Sequence, residues 1–488
     1  MARNRVIYQS QALFMSPTST GYHMQTGNKF GSLDAVGNTN WTGVTGLAYT
    51  DGQSPHLGGD AVVLNRTLIE PLHRVQSANF NFTINRQDIN EFGKLARLDS
   101  IVMESPTVGL DFNYYLTDGG NERKMGFNIP TNGSGSAATI GANASRPTAT
   151  TYAWTGDGCI SGFSALSGLI EDTQGNNYFI VTSKEGKDVQ GDTVVSNSTD
   201  FDVISIGNGF ISDYNIDASV GAIPTASVTV EAFNIRADNY ISGQVGTEGS
   251  GNRIPGVDDI NGQQVAHNYN FRGGTISTTG DYIAGDTVAD NTITALRPGD
   301  ILLEFIDPQE NTTPSFNTDG FAILSGNGAA HIQSFNVTVP MSRTILGRLG
   351  NTFGYARVID LPMNIDISVS AIVSELRTNN LFERLGSTEK HDFRLTLRRS
   401  AGTGKPGADA LIIDVKGARL EGESYSNAIG DNETVDVTFS TQIGGSNDQN
   451  NGIFMRGSYA RWTTLPYWVL GDQKSQKGGF ADAVLVPS

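Results

Sequence analysis

Several stretches of the chain alternate apolar and polar side chains with a period of two, the pattern of a half-buried strand. VQSANFNFTI places Val75, Phe80, Phe82 and Ile84 in such a pattern, and TVGLDFNYYLTD does the same with Val108, Leu110, Phe112 and Tyr114. NNYFIVTS from Asn176, FDVISIGNGF from Phe201, ASVTVEAF from Ala226 and the run after RPGDILLEF predict further strands. RQDINEFGKLARL breaks the alternation: Ile89, Phe92 and Leu95 stand at helical spacing and predict a short helix, with Gly93 as its C-cap. The fold class expected is mainly β: two tandem β-barrel or sandwich domains, each with a short α-helix.

An internal repeat supports two domains. Val75 to Lys94 lies over Ile332 to Asn351 without a gap, matching Gln76 with Gln333, Ser77 with Ser334, Asn79 with Asn336, Arg86 with Arg343, and Gly93 with Gly350. Apolar positions exchange for apolar ones, as in Phe80 with Val337 and Phe92 with Leu349. The next strand, Val108 to Tyr114, falls at the same offset on Ile365, Ile367, Val369 and Ala371. Later, IGNGFISDY resembles DVKGARLEG with Gly209 over Gly417, and Val228 lies over Val437. The units this implies are 59–235, with an inserted flap at about 128–200, and 299–445. A glycine-rich connection at 236–298 joins them. Residues 1–58 form an N-terminal arm, either loose or ordered against a neighbour, and 446–488 a C-terminal extension.

Composition agrees with many short strands and turns. The 488 residues include 58 glycines, and only 17% are charged. The formal net charge of −17 excludes a basic duplex-binding surface, which needs clustered Lys and Arg. One cysteine, Cys159, forbids an intrachain disulfide and a Cys-based metal site. No apolar run is long enough for a membrane span, and the N-terminal MARNRVIYQSQALFMSP lacks the apolar core of a secretory signal, so no membrane partner is expected.

Catalytic chemistry finds no foothold. The six histidines (His23, His56, His73, His267, His331, His391) form no i, i+4 pair, and no nucleophile elbow or phosphate loop is present. Catalytic residues, metal ligands and cofactors are therefore all expected to be none. The candidate contacts between domains or subunits are Arg86, Arg343, Trp462 and Trp468. Each arginine stands at the expected strand-to-helix junction of its copy, where a guanidinium either forks onto a carboxylate of the neighbouring domain or chain, or stays local, paired with an acid such as Asp88 or capping a helix end. Ile345 stands where the second copy would need the equivalent of Asp88, so a local pair does not explain both arginines. Gly93 and Gly350 are the helix-end glycines.

The segment LHRVQSANFNFTINRQDINEFGKLARLDSIVMESPTVGLDFNYY resembles the tube-forming proteins of bacteriophage tails, and IGNGFISDYNIDASVGAIPTASVTVEAFNI is similar to later strands of the same fold. Counting both copies, the resemblance covers about half of the chain. It implies a structural virion protein, assembled in the host cytoplasm. Chains of this kind with two tube domains form homotrimeric, pseudo-hexameric rings that stack on themselves and on other tail proteins. DNA passes through the lumen without tight binding, which an acidic wall favours. A distal-tail or baseplate ring protein of the same fold, and a host-attachment or glycan-binding β-protein, are the alternatives.

Overall fold

The computed structural model describes residues 11–17, 70–129, 164–171, 175–183, 201–240, 301–306, 330–347, 349–350, 356–373, 390–400, 406–426, 434–445 and 450–457, together with 296, 354 and 448. It is mainly β. The first unit contains β1 (Gln11–Pro17), β2 (Glu70–Pro71), β3 (Val75–Thr83), β4 (Arg86–Ile89), β5 (Asp99–Val102) and β6 (Thr107–Tyr115). Two short helices follow, α1 (Gly120–Met125) and α2 (Ser167–Glu171), then β7 (Asn176–Ser183), β8 (Phe201–Ser219), β9 (Thr225–Ala232) and β10 (Asn234–Tyr240). The second unit contains β11 (Ile301–Ile306), β12 (Ala330–Pro340), β13 (Arg343–Leu346), β14 (Ala356–Ile359), β15 (Met363–Val373) and β16 (His391–Ser400). It ends with β17 (Pro406–Ser426), β18 (Thr434–Ile443) and β19 (Gly452–Gly457).

Strand pairing repeats from unit to unit, always antiparallel. β3 pairs β6, β6 pairs β9 and β9 pairs β8; β12 pairs β15, β15 pairs β18 and β18 pairs β17. β8 also takes β7 and β10, with β1 beyond β7, as β17 takes β16 and β19, with β11 beyond β16. Even the irregularities match: a bulge lies between Val75 and Ser77 on β3 and between Ile332 and Ser334 on β12. The repeat read from sequence is thus reproduced in register, residue for residue, across β3–β6 and β12–β15.

The structure corrects that repeat by one residue further on. Gly209 pairs with Asn176 as Ala418 pairs with His391, so Gly209 corresponds to Ala418 and Asn208 to Gly417. Asn208 and Gly417 share a left-handed conformation, φ 53° and 71°. At these residues the long strands β8 and β17 leave one pair of partners and enter another, and Asn and Gly are the residues that tolerate such backbone.

The helix expected over 86–98 is a β-hairpin. Arg86 pairs with Val102 and Ile89 with Asp99, and Arg343 pairs with Ile359 in the second unit. Gly93 and Gly350 have φ 93° and 90°, but they turn hairpin loops rather than end helices. A three-turn helix would need surface on which to bury Ile89, Phe92 and Leu95, and the chain offers none: Phe92 and Leu95 project fully into solvent at the loop. The short helix of the first unit is α1 instead. Two further strands lie beyond the unit boundaries read from sequence: β1 sits within the N-terminal arm and β19 within the C-terminal extension. Each completes a sheet edge that its own unit would otherwise leave open.

Alternation decides what is buried. Val108, Leu110, Phe112 and Tyr114 of β6 and Ile365, Ile367, Val369 and Ala371 of β15 all face the core, joined there by side chains of β8, β9, β12, β17 and β18. Burial of each larger apolar side chain is worth about 1.5–3 kcal/mol, so these faces supply much of the folding free energy. Glu122 is buried beside them. The Glu122 carboxylate on α1 accepts hydrogen bonds from the Tyr114 hydroxyl at 2.7 Å and the Tyr214 hydroxyl at 3.2 Å, tying the helix to β6 and β8.

Burial raises the Glu122 carboxyl above the ordinary carboxylate range, although both tyrosines oppose the shift. A carboxyl raised in the folded state makes its contribution in full below about pH 4, where it is neutral in both states, and loses it as pH rises through the raised value. E122Q keeps an oxygen acceptor and removes the charge. We expect the wild-type melting temperature, followed by calorimetry from pH 4 to 8, to fall more steeply with pH than that of E122Q; equal slopes would contradict the assignment.

Candidate functional site

The described surface is organised around one junction between the two copies. β12 of the second unit pairs with the C-terminal half of β8 in the first, from Ser334 opposite Ser219 to Pro340 opposite Asp213. Val337 lies opposite Ile216, and both are fully buried, as are Val339 and Tyr214 nearby. On the opposite face Asn336 donates to Asn215 at 2.9 Å and Asn215 to Thr338 at 3.4 Å, a polar ladder over the apolar seam. The result is one continuous sheet of eight strands, in the order β3-β6-β9-β8-β12-β15-β18-β17.

The β13–β14 hairpin extends past this junction and seats on the first unit. The Arg357 side chain is 1% exposed; it bonds Glu231 Oε2 at 3.4 Å and the Glu231 carbonyl at 3.1 Å, with its guanidinium 4.1 Å from the centroid of the Phe233 ring. Arg343 stacks over Phe210 at 4.8 Å and donates to the carbonyl of Leu169 on α2. Burial pulls the Arg357 guanidinium down to about 10; Glu231 opposes the shift and Arg343 adds to it, and the group stays charged at neutral pH. Aromatic faces favour such weakly hydrated planar cations.

Both edges of the eight-stranded sheet are open. Among the described residues β3 pairs only β6, and the C-terminal half of β17 pairs only β18. Phe80 and Phe82, which stand where Val337 and Val339 stand in the second copy, are 41% and 58% exposed, and Tyr425, at the position of Ile216, is 50% exposed. Large apolar side chains thus stand exposed at both edges, two on β3 and one on β17, where Glu423 takes the place of Tyr214.

The face of this sheet turned away from the core is polar and acidic. It presents Asp111, Asp217, Asp366 and Asp436, all exposed, among Asn, Ser and Thr. Seven of its strands, β3, β6, β8, β9, β12, β15 and β18, contain no Lys or Arg. Part of the chain's excess of acid therefore lies on this face, with Arg419 of β17 at its edge.

Of the residues singled out in the sequence, Arg343 does cross between units, onto the Phe210 ring and the Leu169 carbonyl. Arg86 is exposed; the local acid Asp88 pairs with Arg97 at 3.0 Å instead. Trp462 and Trp468 lie outside the described residues. Sequence reasoning missed Arg357, because its counterpart in the first copy is Ser100 and the repeat carries no signal there. Among the described residues no group of His, Cys, Asp and Glu could hold a metal ion, and no helix is long and apolar enough to cross a membrane.

No protein-family model and no curated protein sequence matches the chain. Among solved structures it matches one titled "Crystal structure of Hcp protein", at 14% identity over 32% of this chain and 98% of that one, with a TM-score of 0.17.

Truncating a buried cation that bridges two units removes its charge-assisted hydrogen bonds, at a cost of about 1.5–3 kcal/mol. R357A should speed amide hydrogen exchange in 343–346 and 356–359 by roughly tenfold or more, with β15 and β18 little changed. Unchanged protection in the hairpin would show that Arg357 does not hold it.

Proposed function

We propose that this chain is a structural, non-enzymatic subunit of a phage tail tube, which closes into rings with copies of itself and stacks to form a conduit for DNA. The observation that carries the reading is the match between the filled junction and the two open edges. The β12 side of the internal pairing, Phe335, Val337 and Val339, is repeated as Ala78, Phe80 and Phe82 on β3, and Tyr425 on β17 stands where Ile216 does, while Glu423 takes the place of Tyr214; among the described residues no strand pairs with either edge. Transferring the internal register sets Phe80 of one chain opposite Tyr425 of the next, as Val337 stands opposite Ile216. An exposed apolar edge is an aggregation hazard unless something pairs with it, and a closed ring of identical chains pairs every one.

Three chains would contribute six units and a continuous sheet, giving the homotrimeric, pseudo-hexameric ring that the resemblance implies. In such a ring the acidic face lines the lumen. Over the seven strands that carry no Lys or Arg, carboxylates and amides repel phosphate and give it no fixed partner, so duplex DNA slides past. Assembly in the host cytoplasm and incorporation into the virion belong to the same proposal.

Two experiments test it. F80D and Y425D each place a charge in the proposed seam while changing an exposed residue of the monomer. Size-exclusion chromatography and negative-stain images should show rings or tubes for the wild type and monomers for either variant, with melting temperatures of the subunits within a few degrees. Rings that form normally with both substitutions would refute the seam. The combined variant D111N/D217N/D436N should assemble like the wild type but retain duplex DNA at low salt in a filter-binding assay; equal retention would remove the role given to the acids.

A further inference from the structure

The duplication makes each unit a template for what the other should contact. In the first unit the surface over β8 and β9 is occupied: the β13–β14 hairpin covers Phe210, Glu231 and Phe233, and the Met341 amide bonds the Ser212 carbonyl at 2.8 Å. By the β8–β9 and β17–β18 registers, Phe210, Ser212 and Glu231 correspond to Arg419, Glu421 and Ser440. In the second unit these same positions line an open cavity of about 720 Å³, together with Asp366, Lys390 and Gln442. The equivalent hairpin, β4–β5, meanwhile stands uncovered: all four residues of β4 are exposed. It cannot reach the cavity of its own chain. Hairpin and cavity lie at opposite edges of the eight-stranded sheet, roughly 30 Å apart at about 4.8 Å per strand.

We propose that this cavity receives the β4–β5 hairpin of a second copy of the chain, with Arg86 of the incoming hairpin directed at the carboxylate of Glu421. The inference rests on the ring reading above and adds the chemistry of the contact.

That chemistry differs from the internal seat it mirrors. Inside the chain, two arginines lie on two phenylalanine rings. At the second seat the rings are replaced by Arg419 and Gln442, and the second arginine of the hairpin by Ser100. What remains is a mixed-charge surface, in which Glu421, bonded to the Ser440 hydroxyl, and Asp366 offer carboxylates to Arg86. Asp88, where the internal hairpin has Ile345, brings an acid toward Arg419 and Lys390. The two hairpins share the first arginine and differ at the other two positions: at the second seat Arg357 would add a cation to Arg419 and Lys390, where β5 carries Ser100, and Asp88 would meet aromatic rings at the first. Paired differences of this kind make the two junctions non-interchangeable, so the internal and external contacts alternate around the ring.

The test uses the full chain. R86E and E421R each place like charges together, and each should raise the concentration for half-maximal ring formation by about tenfold, while R86E/E421R recovers to near the wild-type value. As a geometric check, Ser100→Cys and Ser440→Cys are combined with Cys159→Ser and treated with a short bis-maleimide, which should link chains to one another on a denaturing gel. If rings form but both single swaps assemble like the wild type and no link appears, the seat is wrong and the ring reading stands. A wild-type chain that forms no rings overturns the ring reading, and this inference with it.

Discussion

The backbone pairing of β12 with the C-terminal half of β8 is the constraint on which the rest of this structure depends. It converts two similar units into one eight-stranded sheet and buries Val337 against Ile216. It also fixes where the β13–β14 hairpin lands, because β13 continues directly from β12. Without that pairing the chain would expose four open edges rather than two.

Duplication followed by divergence explains why the two ends of the sheet are alike in shape and unlike in chemistry. Backbone features persist in both copies: the strand bulges, the left-handed residues at 208 and 417, and the glycine turns at 93 and 350. These obey geometric demands that both copies share. Side chains at the junctions do not persist. Arg357 has Ser100 as its counterpart, Phe210 has Arg419, and Ile345 has Asp88. A junction inside a chain is sealed on folding and can bury a cation among rings.

Much of the fold was legible. The strands around Phe80, Leu110, Ile180, Ile206 and Val228 follow from alternation, and the repeat located both copies before any coordinates. The hairpins were misread because Ile89, Phe92 and Leu95 fit a helical face. Spacing reports only that a face is possible, whereas surface to bury it against decides whether it forms. β1 and β19 were left outside the units for a related reason: a short strand at a sheet edge gains its stability from the neighbour it pairs with, and its own sequence carries little of that signal. Arg343 was visible as a repeated residue, while Arg357, the more deeply buried of the two, was not.

The sequence alone determined the mainly β character, the two related units and the excess of acid, since each follows from local pattern, self-similarity or composition. Only the tertiary structure decided which edges are filled and which are open, that exposed acids share one sheet face whose seven strands from β3 to β18 carry no Lys or Arg, and that the helix-like segment is a hairpin. Those are properties of long-range pairing, in which residues more than a hundred positions apart, such as Ile216 and Val337, become neighbours, and no local pattern encodes which distant partner a strand will meet.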